Sequence, residues 1–238
     1  FCNRERGESA ESDRFIQYVK SLKIPLLLLS SKDFLPPLRE KDKEAWRILY
    51  HQDIAKQLQG FPAHAIVLAG YMLIVSQAFC ESFTIINLHP AAPGGPKGTW
   101  QEVIWTLIQK RATQTGVMIH LVTKDLDEGP PITYVTFPIK SPNFDPLWRD
   151  LNGKLKHQSL EQLVKKEGED NPLFKEIRRQ GVRRELPLIV MTLKALAENR
   201  VKIEGRKVLD GEGREIERYC LNEEVEEYLL KIPGAKHQ

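Results

Sequence analysis

Cysteine is scarce in this chain of 238 residues: there are three, Cys2, Cys80 and Cys220, odd in number and far apart. That argues against a disulfide framework and leaves no metal-type spacing, so no metal site is expected. Free cysteines suit a reducing compartment, and the expected location is cytoplasmic. Charge of one sign is not in excess either. Lys and Arg total 35 against 32 Asp and Glu, a net +3. Nothing there forms the clustered basic footprint of a nucleic-acid binder. No apolar run approaches the roughly 20 residues of a membrane span. Phe1-Cys2-Asn3-Arg4 leads straight into charge, and no signal peptide is read there. No internal repeat is present. What remains is 41% hydrophobic, enough to bury a real core in one large domain, or one domain with an appendage.

Residues 1–3 read as the tail of a strand cut at its start. A helix entering from Ser9 or Ser12 carries Ile16, Val19 and Leu22 as its apolar stripe. Ile24-Pro25-Leu26-Leu27-Leu28-Leu29 reads as a short buried strand. After a loop over 30–37, residues 42–58 form an amphipathic helix with Trp46, Leu49, Ile54 and Leu58 among its apolar positions. Residues 65–70 predict a strand buried on both faces, 76–83 a short helix and 84–88 another strand. Strands alternating with helices imply an α/β, mainly parallel sheet with right-handed crossovers. A Pro/Gly loop over 91–99 precedes a helix over 100–111. Residues 116–123 and 132–139 read as two further strands, antiparallel around an intervening turn. A loop covers 141–146. Residues 147–181 are polar and helical, and read as an insertion. A helix starts at Pro187. Residues 201–203 and the turn Asp210-Gly211-Glu212-Gly213 suggest a hairpin, and 223–230 a short acidic helix. The expected division is therefore an α/β domain over 1–203 and an appendage over 204–238.

The chemistry gathers between 85 and 132. Asn87 and His89 sit two apart at the end of an apolar strand, so both side chains leave the same face. Asp127 follows on a turn before Gly129-Pro130. Amide, imidazole and carboxylate supply a donor, a proton-transfer group and an orienting charge for a carbonyl whose oxygen becomes negative. In an open α/β sheet, ligands sit beyond the carboxyl ends of the strands, where Gly70 and His89 both lie. Taken alone, His89 reads equally well as a satisfied strand-end histidine. It is the constellation that points to catalysis. His120 reads as a core residue or a support rather than a proton carrier.

Asn87-Leu88-His89-Pro90, followed at a distance by Leu126-Asp127-Glu128-Gly129-Pro130, resembles the folate-dependent formyltransferases, in the branch that serves purine biosynthesis. Leu68-Ala69-Gly70-Tyr71-Met72, residues 116–120 and Leu186-Pro187-Leu188-Ile189 are similar as well. The resemblance implies a Rossmann-like formyltransferase fold. It implies transfer of a formyl group from 10-formyltetrahydrofolate, as co-substrate, to an amine acceptor, glycinamide ribonucleotide or a related anionic amine. It gives catalytic roles to Asn87, His89 and Asp127. Leu68, Gly70, Met72, Ile74 and Val75, with Thr123, Lys124 and Leu126, would bind the folate. Pro90 would contact the acceptor. The implied partners are small molecules, with neither nucleic acid nor membrane, and a homodimer as the assembly to look for.

Several positions depart from that pattern. The family opens with a strand and a Gly-rich loop that binds the substrate phosphate. This chain opens at what reads as the second strand, so further sequence is expected ahead of Phe1. Leu73 stands where an arginine is usual. Val182-Arg183 replaces a Glu-His pair, and residues 91–98 read Ala-Ala-Pro-Gly-Gly-Pro-Lys-Gly in place of Ser-Leu-Leu-Pro. The acceptor side is thus rewritten toward positive charge. Arg183 and Arg184 are candidate anion ligands, and equally readable as a solvated helix face. Two other functions remain open: hydrolysis of 10-formyltetrahydrofolate, and a non-catalytic folate or nucleotide binder.

Overall fold

The structure, a computed structural model, describes residues 1–124 and 128–231. Contacts divide the chain into two units, Phe1–Ile85 and Ile86–Gln238. In the first unit, α1 (Ala10–Ser21) starts where Ser9 Oγ accepts from the Ser12 amide, and Ile16 is its buried residue. Such a cap satisfies an amide that the helix itself cannot. α2 (Pro36–Lys41) follows Leu35, which sits at φ 42. α3 (Lys43–Leu58) is capped by the Asp42 carboxylate, which accepts from the amides of Glu44 and Ala45. Trp46 and Tyr50 stack with ring centroids 4.9 Å apart, and Phe34 meets Tyr50 edge-on at 5.2 Å. The polar ends of these buried rings are served: Trp46 Nε1 donates to Phe34 O at 2.6 Å and Tyr50 Oη to Leu29 O at 2.7 Å. Aromatic groups with a polar tip are buried cheaply only on those terms.

β1 (Ile66–Leu68) and α4 (Gln77–Ser82) complete this unit. Two readings change here. Residues 65–68 are half-buried, not buried on both faces; Ile66, Val67 and Leu68 line an apolar groove of about 690 Å³ with Phe15, Ile54 and Leu58. Residues 24–29 give a single parallel bridge, Cys2 to Leu28, and no full strand. Pro25 offers no N–H to extend a ladder.

The second unit holds a mixed sheet with helices packed on it. β2 (Ile85–His89) pairs antiparallel with β3 (Gln114–Leu121), and β3 antiparallel with β4 (Pro131–Pro138), as expected around the intervening turn. Gly116 is required in β3: a Cβ there would lie 2.1 Å from Val135 O. α5 (Trp100–Gln109) begins with a reciprocal cap between Thr99 and Glu102. α6 (Asp145–Lys154), α7 (Leu160–Glu167) and α8 (Pro172–Ala197) follow. From the stretch read as a polar helical insertion, Trp148, Leu151, Leu163, Phe174 and Ile177 join Ile104, Ile108, Phe137 and Ile139 in one buried cluster. The helix expected to start at Pro187 starts instead at Pro172, capped by Asn171. Both prolines carry the same start signal, but Asn171 supplies the side-chain acceptor.

β5 (Val201–Glu204) and β6 (Lys207–Asp210) form a hairpin that turns at Gly205, with φ 60, earlier than the expected turn over 210–213, which is spanned by an isolated bridge between Leu209 and Glu215. The anticipated boundary after residue 203 does not coincide with the contact division. β7 (Tyr219–Cys220) pairs parallel with β4, and α9 (Asn222–Lys231) buries Val225 and Leu229 while packing on α8 and β4. The described part of 204–231 is thus built into the second unit. Cys2, Cys80 and Cys220 are not joined in disulfides. No helix among the described residues is long and apolar enough to cross a membrane.

Candidate active site

β2 delivers the two central side chains. Ile85 and Ile86 anchor it in the core at 0% and 1% exposure. Asn87 and His89 then share a face by the period of the strand. In the ladder Asn87 stands opposite His120 and His89 opposite Met118. Asn87 Nδ2 lies 3.5 Å from His120 Nε2. The two imidazoles meet edge to face, 6.3 Å between centroids at 86°. His89 is buried, and its Nε2 sits 3.1 Å from Pro96 O. A carbonyl only accepts, so Nε2 carries the proton.

The loop that supplies Pro96 is shaped by glycine. Gly94 and Gly98 hold φ of 78 and 108, a region that side chains with a Cβ disfavour. Gly95 donates to Ala92 O at 2.8 Å, closing a tight turn. Lys97 Nζ reaches Glu128 Oε1 at 2.7 Å. That hydrogen bond, and the cation behind it, pull the Glu128 carboxyl below its ordinary range. The pair fastens the Pro/Gly loop to the segment that follows the turn. The sequence reads this stretch as a Pro/Gly loop and assigns Lys97 and Glu128 no part. Nothing in their local spacing marks two residues 31 positions apart as partners.

The other expected site residues divide among several environments. Asp127 and Leu126 lie outside the described residues. Thr123 is half-buried and Lys124 exposed. In the first unit, Leu68, Gly70 and Val75 line the apolar groove. Met72 and Ile74 present 87% and 45% of their surface to solvent. Exposed apolar side chains on a strand-end loop suit a flat apolar ligand better than they suit water. Gly70 adopts φ 70. Tyr71 beside it bonds through Oη to His51 Nε2 at 3.0 Å. His51 is buried in α3, and burial lowers its pKa to about 4.

On the acceptor side, Pro90 is half-buried. Arg184 is buried and already committed: Glu226 binds it at 2.6 Å, Gln180 takes a second hydrogen bond, and its guanidinium covers Phe137 at 4.6 Å. An incoming anion would have to displace Glu226. The neighbouring Arg183 differs in that its buried Nε has no hydrogen-bond partner. Arg178 is paired with Glu185 and lies over Trp100. Among the described residues no group of His, Cys, Asp and Glu is arranged to hold a metal ion.

Comparison with known proteins gives a consistent picture. Residues 11–165 match the Formyl transferase family. The phosphoribosylglycinamide formyltransferase of Saccharomyces cerevisiae is 27% identical over 151 residues, covering 54% of this chain and 71% of that protein. The enzyme of the same name from Schizosaccharomyces pombe is 33% identical over 114 residues, covering 45% of this chain and 55% of its own length. Among solved structures, the phosphoribosylglycinamide formyltransferase of Coxiella burnetii superposes with a TM-score of 0.58 at 18% identity, covering 91% of this chain and 82% of that one. That likeness bears out the expected Rossmann-like α/β fold.

Proposed function

The chain belongs to the formyl transferase family, and on that premise we propose that it moves a formyl group from 10-formyltetrahydrofolate to an amine, glycinamide ribonucleotide or a related anionic acceptor. The observation that carries this reading is the arrangement at the end of β2. Asn87 and His89 leave one face of a strand inside the matched residues, with a protonated Nε2 on His89. The amine nitrogen attacks the formyl carbon, and the carbonyl electron pair moves onto oxygen. Asn87 donates a hydrogen bond to that oxyanion, and by resemblance His89 acts as an imidazolium, donating from Nδ1 while Nε2–H stays on Pro96 O. The attacking nitrogen loses a proton, which travels through water with Asp127 as carrier. Collapse of the intermediate breaks the bond to the folate nitrogen, which takes up a proton. The role of Asp127 is carried over by resemblance. So are the folate contacts of Leu68, Gly70, Met72, Ile74, Val75, Thr123, Lys124 and Leu126, and the acceptor contact of Pro90; that of Arg183 departs from the family pattern and rests on its guanidinium, whose buried Nε has no hydrogen-bond partner. Small-molecule partners, a cytoplasmic location and a homodimer belong to the same proposal; nucleic acid does not.

The test is direct. The protein is mixed with 10-formyltetrahydrofolate and glycinamide ribonucleotide, and tetrahydrofolate and formylated amine are followed together. Asn87→Ala should lower turnover by about 10²–10³, the usual cost of one oxyanion donor. Asp127→Asn should keep folate binding and lose turnover. Formate released at the same rate with and without the amine would replace transfer by hydrolysis. Folded protein that consumes no donor would overturn both.

A further inference from the structure

His120 bonds the candidate oxyanion donor from the neighbouring strand. It stands directly opposite Asn87 in the antiparallel ladder, a relation that brings two Cβ atoms within about 4.5–5.5 Å. On its other side, the pairing of β3 with β4 shifts register between Ile119 and His120. The extra residue is Ile132 of β4, opposite the step from Ile119 to His120, and bulges are frequent beside active sites. His120 is 2% exposed, so water does not compete for its ring nitrogens. Its Nδ1 lies 3.1 Å from Leu121 O. Because a carbonyl only accepts, Nδ1 carries the hydrogen, and in the neutral ring Nε2 is left as an acceptor. That acceptor faces the Asn87 amide at 3.5 Å.

An amide side chain has two unlike ends. Turned one way, Asn87 shows N–H to a developing negative oxygen; turned by half a rotation, it shows a carbonyl and repels the same oxygen. An acceptor at His120 Nε2 selects between them. It takes one hydrogen of the NH₂ group and leaves the second for the reacting group. We propose that His120 is a positioning residue, holding Asn87 in the orientation that donates to the oxygen of the transferred formyl group. This rests on the formyl-transfer reading. The 3.5 Å separation is at the long end for a hydrogen bond, and catalytic contacts of this kind tighten around the reacting group.

The experiment has two arms. In the kinetic arm, His120→Phe keeps the packing volume and removes the acceptor. It should lower kcat about tenfold, part of the 10²–10³ expected for losing the Asn87 donor itself, and leave the KM for the folate donor within about twofold. His120→Gln should recover most of the loss, since its Oε1 can accept. In an Asn87→Ala background, His120→Phe should add less than about twofold, because the residue it acts through is gone. A purely structural role would cost the same about tenfold in either background and would overturn the proposal, as would unchanged kcat in His120→Phe. In the second arm, ¹⁵N NMR of wild-type protein at neutral pH should show His120 protonated at Nδ1 alone, with an Nε2 resonance that moves in Asn87→Ala. A proton on Nε2, or no change in Asn87→Ala, would overturn it. That arm stands if His120→Phe fails to fold. If the wild type transfers no formyl group, the proposed function falls while the NMR result still judges the contact.

Discussion

Acid should weaken this protein through one buried histidine. His51 is 1% exposed in α3. Its Nδ1 is 2.9 Å from Arg47 O and 3.3 Å from the Ser76 amide, and its Nε2 is 3.0 Å from Tyr71 Oη. Burial lowers its pKa from 6.5 to about 4, against a smaller opposing pull from the Arg47 carbonyl. The unfolded chain therefore accepts a proton near the ordinary value, while the folded chain refuses it until about pH 4. Stability is whole above the unfolded pKa and falls as pH drops through the window between the two values. The full shift corresponds to about 3 kcal/mol at roughly 1.4 per pH unit, most of it lost between about pH 7.5 and about pH 4.5. Carboxylates titrate in the same range, so the measurement is a difference. Urea unfolding is followed for wild type and His51→Gln at both pH values. The wild type should lose about 2–3 kcal/mol more than the variant on acidification, with a cooperative transition throughout. Parallel losses would show that His51 is not held neutral, and the reasoning from burial would fail.

Three further outcomes can be checked by denaturant unfolding or by turnover. Thr133 and Thr192 are both wholly buried, their hydroxyls are 2.6 Å apart, and Thr192 Oγ1 donates to Leu188 O. Thr192→Val should cost about 1–3 kcal/mol by stranding the Thr133 hydroxyl, while Thr133→Val should cost under about 1 kcal/mol because Thr192 keeps its carbonyl; equal costs would refute the asymmetry. Gly181→Ala in α8 meets no atom within 4 Å and should stabilise by about 0.5–1 kcal/mol, whereas Gly116→Ala should cost upward of about 2 kcal/mol, since overpacking against backbone cannot relax. Lys97→Glu should lower turnover by unfastening the Pro/Gly loop over His89, and Lys97→Glu with Glu128→Lys should recover part of it. A recovered pair with a salt-sensitive rate is the expected sign of an exposed ion pair.

Local patterns were legible and long-range ones were not. The helix over 42–58 was readable because Asp42 caps it and its apolar residues recur at helical spacing. Its buried face was misjudged. Leu49 is 41% exposed, whereas Tyr50 and His51 are buried, because the face that packs runs Trp46, Tyr50, Ile54 at a four-residue step. A histidine between a tyrosine and a glutamine reads as surface, and only the partners Tyr71 and Ser76 make it core. Pro187 read as a start because an initiating proline and an interior proline look alike in sequence; the difference lies in a cap at Asn171.

The candidate site shows the same division within a few residues. Asn87 and His89 could be paired from sequence because a strand repeats every second residue. Adding His120 needed the register between β2 and β3, and register is fixed by which faces are buried. One slip along either strand would place His120 opposite Ile86 or Leu88 and turn its ring to the other face of the sheet. The hydrophobic pattern guards against that slip, since Val117, Ile119 and Leu121 would exchange core for the face now holding the polar groups. The apolar residues of β3 therefore do more than stabilise: by fixing register they decide which imidazole faces the Asn87 amide. A conservative change among them that shifted the ladder should alter turnover before it unfolds the protein.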